Sequence, residues 1–112
     1  MTVFITQGRY TQDAVKGMLA RPEDRAESTA QLFAKAGGKM IGYYMTFGAY
    51  DFLIVSEGPS LDGAAAAAIV AAAGGGVTDL NTTIGMTSAE MKNAFAKAGS
   101  IAAGFRSAGA KA

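Results

Sequence analysis

The sequence predicts an α+β domain with a four-stranded antiparallel sheet and helices on one side of it. β-Branched and aromatic residues open the chain at Val3–Tyr10, and two apolar runs joined by a tight turn predict a β-hairpin at Lys39–Glu57. Alternating polar and apolar residues at Val77–Ile84 predict a fourth strand. Helical patterns lie between these strands and after the last one. The resulting order, β-α-β-β-α-β plus a C-terminal helix, is typical of the ferredoxin-like fold.

The helices are predicted from their start and stop signals. Thr11, Ser60 and Thr87 are residues of the helix-capping type, and Thr87 forms a capping box with Glu90. Pro22 occupies a first helical position. The predicted helices end at Leu19, Ala36, Ala73 and Ala98. Because the pattern decays after Ala98, residues 1–98 are predicted to form the domain and residues 99–112 a flexible tail rich in glycine and alanine.

The hairpin fixes a register. With Gly48 and Ala49 as a two-residue loop, Met45 faces Phe52 and Tyr44 faces Leu53. Gly48 favours a type II′ turn, in which it has a positive φ. One face of the hairpin is then almost wholly apolar and the other is mixed. The apolar face collects Ile41, Tyr43, Met45, Phe47, Tyr50, Phe52 and Ile54, and the mixed face collects Met40, Tyr44, Thr46, Asp51, Leu53, Val55 and Glu57.

The apolar face is expected beneath the helices. The mixed face still presents Met40, Tyr44, Leu53 and Val55, which together make a patch that soluble monomers rarely expose. We therefore expect a second copy or a ligand cavity on this face, and self-association into a dimer or a larger assembly.

Composition excludes several classes of function. The 112-residue chain has no histidine and no cysteine, so it lacks the commonest general base, thiolate nucleophiles and the usual zinc ligands. No metal and no cofactor is predicted. The net charge is only +1, and the charged residues are spread along the chain, so the sequence predicts no basic patch that would bind nucleic acid. No segment has the pattern of a signal peptide or a membrane span, so we expect a cytoplasmic protein without membrane contact.

The hairpin motif also carries a family resemblance. Gly48-x-Tyr50-Asp51, followed by the apolar run 52–55, resembles the signature of the GYD domain family. The end of the first strand, residues 8–11, and the lead into the hairpin, residues 36–44, are similar to the corresponding parts of that family. The resemblance covers roughly residues 2–95. It implies a small domain of the dimeric α/β-barrel kind, from a family largely without an assigned activity, and it supplies no catalytic residue.

Four residues are candidate ligand contacts: Arg9, Tyr10, Tyr44 and Asp51. Asp51 lies beside the turn, where a carboxylate can bind a ligand or pair with Arg9; the alternative is a strand-end aspartate that fixes the loop backbone. Arg9 and Tyr10 end the first strand and suit an anionic or aromatic ligand, or else lie in solvent. Tyr43 and Tyr44 fall on opposite faces, so at most one of them belongs to any given cavity.

Two functions are consistent with these features. One is a non-enzymatic, homo-oligomeric module that binds a small metabolite or serves as a sensor or assembly unit. The other is a cofactor-independent oxygenase or isomerase of the dimeric α/β-barrel type. The absence of histidine and cysteine favours the first, because acid–base chemistry would fall to Asp51, Glu57 or a tyrosine.

Overall fold

Four strands form one antiparallel sheet in the order β2-β3-β1-β4 in the computed structural model, which describes residues 1–109. The strands are β1 (Thr2–Tyr10), β2 (Lys39–Met45), β3 (Phe52–Gly58) and β4 (Val77–Gly85). The helices are α1 (Gln12–Ala20), α2 (Ala26–Lys35), α3 (Leu61–Ala73) and α4 (Ser88–Ile101), and a 3₁₀ turn follows at Ala102–Gly104. This order and pairing confirm the predicted ferredoxin-like fold.

The core lies between one sheet face and the helices. Phe33 of α2 and Ala67 of α3 pack with Phe52 and Ile54 of β3, and all four are buried. We call this side the inner sheet face. The prediction that the apolar side of the hairpin lies beneath the helices is confirmed at Phe52 and Ile54. The opposite side, the outer sheet face, carries Val3, Ile5, Gln7 and Arg9 of β1, Leu53, Val55 and Glu57 of β3, and Tyr44 of β2.

A β-bulge in β2 changes part of the predicted hairpin. The pairs Met45–Phe52 and Tyr44–Leu53 confirm the register near the loop. Met40 pairs with Ser56 but Gly42 pairs with Val55, so one extra residue, Ile41, is inserted between them. This insertion reverses the faces beyond it. Met40 therefore packs on the core, whereas Ile41 is 54% exposed, and their predicted faces are wrong.

The predicted type II′ turn is also wrong. Gly48 does not have a positive φ, and the two strands end at Met45 and Phe52 instead of continuing to a two-residue loop. The backbone N–H of Thr46 donates to the carbonyl of Asp51 (2.9 Å), and the Thr46 hydroxyl donates to the carbonyl of Tyr50 (2.7 Å). These bonds close a longer loop over residues 46–51.

Two helix boundaries differ from the sequence pattern by more than one residue. Helix α2 begins at Ala26 and not at Pro22, and the Asp24 carboxylate accepts the Ala26 N–H at 2.9 Å in the turn before the helix. Helix α4 continues beyond Ala98 to Ile101, into the segment predicted as a tail. The end of that segment, residues 110–112, lies outside the described residues. Within residues 1–109, no helix is both long enough and apolar enough to cross a membrane.

A candidate ligand cavity under the helices

A cavity of about 320 Å³ lies between the inner sheet face and helices α2 and α3. The sheet supplies Thr6, Tyr10, Tyr43, Phe52, Ile54 and Leu80, and α3 supplies Ala64, Ala67, Ala68 and Ala71. The alanines explain the space, because a methyl group reaches only a short way from the helix towards the sheet. A mostly apolar wall with a few polar groups is typical of small-molecule sites.

Two tyrosine hydroxyls form the polar centre of the cavity wall. The hydroxyls of Tyr10 and Tyr43 are 2.6 Å apart, and the Tyr10 hydroxyl lies 3.5 Å from the sulfur of Met45. The Tyr10 ring packs against Phe52, with ring centroids 5.2 Å apart. Burial raises the pKa of Tyr10, and the hydrogen bond with Tyr43 raises it further. The Tyr10 hydroxyl therefore stays protonated across the physiological pH range.

The hydroxyl pair can donate one hydrogen bond to a ligand. Two phenols carry two hydrogens, and one is used in the bond between Tyr10 and Tyr43. The second is directed to Met45, whose thioether is a weak acceptor, or is free to point into the cavity. A ligand oxygen would be a stronger acceptor than the thioether, so the site favours a ligand that carries one.

Further polar groups lie at the edges of the cavity. Thr6 and Thr82 share a hydrogen bond between their hydroxyls (3.1 Å), and Thr29 lines the wall on α2. Arg25, which directly precedes α2, also lines the cavity. Its guanidinium forms an ion pair with the carboxylate of Glu23 at 3.2 Å, and both side chains are about half exposed.

Asp51 acts on the backbone and does not line the cavity. Its carboxylate accepts the N–H of Tyr10 (2.9 Å), and its own N–H donates to the carbonyl of Gly8 (2.8 Å). These bonds extend the β1–β3 ladder past its last pair, Gly8–Phe52. Asp51 thereby holds the end of β1, from which the Tyr10 ring projects into the cavity.

The structure separates the four predicted contact residues. Tyr10 lines the cavity and Asp51 binds its backbone. Arg9 and Tyr44 lie on the outer sheet face, where Arg9 is exposed and Tyr44 is 64% exposed. The expected pairing of Asp51 with Arg9 is therefore not formed.

The sequence reasoning missed Tyr43 and Arg25 as site residues. A signal for Tyr43 existed, because a tyrosine on a buried apolar face needs a partner for its hydroxyl, and strand alternation places Tyr10 on the same face. No comparable signal identifies Arg25, because its position depends on how the loop before α2 approaches the sheet.

The fold and the cavity define a class: a ferredoxin-like α+β domain with a mostly apolar cavity between its sheet and its helices. Within that class, the chain belongs to the GYD domain family, whose model matches residues 4–95. A search of curated proteins and a search of solved structures each found no match.

Proposed function

We propose that this protein is a small-metabolite-binding module whose ligand is apolar and carries a hydrogen-bond acceptor. The cavity of about 320 Å³, with the Tyr10–Tyr43 hydroxyl pair in its wall, is the observation that carries the proposal. Its size lies at the lower end of the range for ligand sites, which suits a molecule of one or two rings.

The same groups favour binding over proton-transfer catalysis. An oxygenase or isomerase that works without a cofactor needs a group that accepts a proton from its substrate. The residues described as lining the cavity include no carboxylate, and the raised pKa of Tyr10 makes its hydroxyl a donor instead of a base. The cavity can therefore recognise an acceptor more readily than it can remove a proton.

We also infer that the module is a homo-oligomer. Every residue of α4 is exposed, including Met91 and Phe95, and the outer sheet face carries the apolar side chains of Ile5 and Val55, which are only partly buried. Two unpartnered apolar surfaces on one chain favour a second copy as the occupant, because a two-fold arrangement buries both surfaces at once.

The binding proposal can be tested with 2-acetylnaphthalene, a neutral two-ring ketone whose fluorescence reports its surroundings. We expect Ala71→Leu to weaken binding by tenfold or more, because the larger side chain fills the cavity. Ala72→Leu is the matched control, because Ala72 is exposed and does not line the cavity. If Ala71→Leu bound the probe as tightly as the wild type, the cavity would not be the site.

The role of the hydroxyl pair can be tested with a second probe of the same shape. 2-Ethylnaphthalene lacks the carbonyl acceptor. Replacing both Tyr10 and Tyr43 by phenylalanine should weaken binding of the ketone by about three- to tenfold, the effect of one lost hydrogen bond, and should leave the hydrocarbon unaffected. Equal losses for both probes would show that the hydroxyls shape the cavity without recognising an acceptor.

A further inference from the structure

Arg25 lies where the cavity meets a second space. A groove of about 420 Å³ runs beside α1 and is lined by Met18, Arg21 and Glu23, among others. Tyr10 and Arg25 line both the groove and the cavity. Arg25 thus lies where the cavity and the groove adjoin, and we call this place the mouth of the cavity.

Positive charge predominates at the mouth of the cavity. Arg25 is the one charged side chain among the described residues that line the cavity. The groove adds Arg21 and Glu23, so the two spaces together carry two cations and one anion. An anion enters an apolar cavity at high cost unless a cation or donors meet it, and Arg25 supplies the cation.

The guanidinium of Arg25 is available to a ligand. Its bond to Glu23 joins two half-exposed side chains, and surface ion pairs of this kind contribute little. A guanidinium has five N–H donors, and the contact with Glu23 uses only the Nη1 group. The positive charge of Arg25 also lowers the pKa of Tyr10, against the larger effect of burial, so the guanidinium acts electrostatically on the Tyr10 hydroxyl.

Building on the proposed function, we infer that the ligand is an apolar monocarboxylic acid whose carboxylate lies between Arg25 and the Tyr10–Tyr43 pair. One carboxylate oxygen accepts from the guanidinium and the other accepts from a tyrosine hydroxyl. The apolar body lies against the alanines of α3. A carboxylate suits this site because it has two acceptor oxygens and a single negative charge, which matches one arginine.

The test compares 2-naphthoate with 2-acetylnaphthalene, which has nearly the same shape but no charge. We expect the wild-type protein to bind 2-naphthoate about tenfold more tightly than the ketone, the usual effect of a charge-assisted hydrogen bond. Arg25→Gln should remove this preference and leave the affinity for the ketone within about twofold.

Two further variants distinguish direct contact between Arg25 and the carboxylate from a long-range effect of positive charge. Arg21→Gln removes a cation from the groove but not from the cavity, so it should change the affinity for 2-naphthoate by less than about twofold. Glu23→Gln removes the carboxylate that competes for Arg25 and should strengthen 2-naphthoate binding. A loss of equal size in Arg21→Gln and Arg25→Gln would overturn the contact in favour of a diffuse electrostatic effect.

The outcomes distinguish this inference from the proposed function. If both probes bind equally, and Ala71→Leu weakens both while Arg25→Gln changes neither, the cavity binds ligands but does not recognise a carboxylate. If neither probe binds the wild-type protein, both the inference and the proposed function are refuted.

Discussion

At the residue scale, Asp51 connects the hairpin loop to the cavity. Its carboxylate accepts the N–H of Tyr10 and its N–H donates to Gly8, so one side chain and one peptide group fix the end of β1. The Tyr10 side chain, whose hydroxyl bonds to that of Tyr43, projects from this part of the backbone. Asp51 is therefore a positioning residue, which acts on the cavity through Tyr10.

We predict that Asp51→Ala lowers the free energy of unfolding by about 1–2 kcal/mol, because the part-buried N–H of Tyr10 loses its acceptor. Asp51→Asn keeps a side-chain carbonyl at the same place and should cost less than half as much. Urea denaturation of both variants measures the difference. Equal destabilisation by the two substitutions would show that the negative charge matters, and not the hydrogen bond.

A second prediction contrasts two glycines. Gly37 has a φ of 88° and ends α2, where the N–H of Gly38 donates to the carbonyl of Phe33 at 2.9 Å. Gly48 has no positive φ and no atom close to the position of an added Cβ. We expect Gly37→Ala to lower the free energy of unfolding by about 1 kcal/mol, whereas Gly48→Ala should leave it nearly unchanged.

Thermal unfolding of the two glycine variants provides the measurement. A lower melting temperature for Gly48→Ala than for Gly37→Ala would contradict the loop conformation described above.

At the scale of elements, the start of α4 is held by a reciprocal cap. The N–H of Thr87 donates to the Glu90 carboxylate at 2.9 Å, and the N–H of Glu90 donates to the Thr87 hydroxyl at 3.1 Å. The bond from the Thr87 N–H, together with the one from its side chain, lowers the pKa of Glu90 below its ordinary value of 4.5. This confirms the capping box that the sequence predicts.

The capping box makes α4 sensitive to acid. Because the pKa of Glu90 is lower in the folded helix than in the unfolded chain, its contribution to stability is present above the unfolded pKa and is lost as the pH falls through the folded pKa. We predict that α4 is more helical in the wild type than in Glu90→Ala at pH 7, and that the difference shrinks below about pH 4.

NMR chemical shifts of residues 88–95 would report this helicity. Glu90→Gln is the matched control, because glutamine can accept the same hydrogen bond without titrating. A difference between wild type and Glu90→Ala that did not change between pH 7 and pH 3 would contradict the role of the ionised carboxylate.

The elements of this fold were predictable where local chemistry decides them. The capping residues Ser60 and Thr87 predicted the starts of α3 and α4 correctly. The alternation of apolar residues along β3 predicted which side of that strand is buried. The bulge at Ile41, and that at Asp79, which has a φ of 53°, depend on how neighbouring strands pair, so the sequence of one strand does not reveal them.

The candidate site was predictable only in part, for a similar reason. Tyr10 was identified from its place at the end of β1. The cavity depends on the spacing between α3 and the sheet, which the sequence of α3 alone does not reveal. Arg9 and Tyr44 were grouped with Tyr10 by proximity along strands, although they project from the opposite face.

At the scale of the whole molecule, the chain is elongated. Its radius of gyration is 18.5 Å and its extents are 64 × 30 × 22 Å, whereas a compact domain of this length has a radius of gyration of about 13 Å. Every residue of α4 is exposed, so this helix contributes to the elongation. A helix with 72%-exposed Phe95 gains little from such a position in a monomer, which is why we infer a second copy.

We predict a dimer or larger assembly at micromolar concentration, measured by light scattering. Val55→Lys should dissociate it, because a lysine at the centre of the outer sheet face would be buried without a partner, at a cost of several kcal/mol. Ala72→Lys, on the exposed side of α3, is the control and should leave the molar mass unchanged. A wild-type monomer, or an assembly that tolerates Val55→Lys, would contradict the assigned interface.

The alanines of α3 that line the cavity bear on which ligand the proposed function would select. Ala64, Ala68 and Ala71 line the cavity and, unlike Ala67, belong to no buried cluster. Replacing one of them by valine or leucine would lengthen that side chain by one or two carbons and would shorten the cavity by the same amount. The sheet and the tyrosine pair would stay in place. If the proposed function is correct, the side chains at these three positions set the length of the ligand that the cavity accepts.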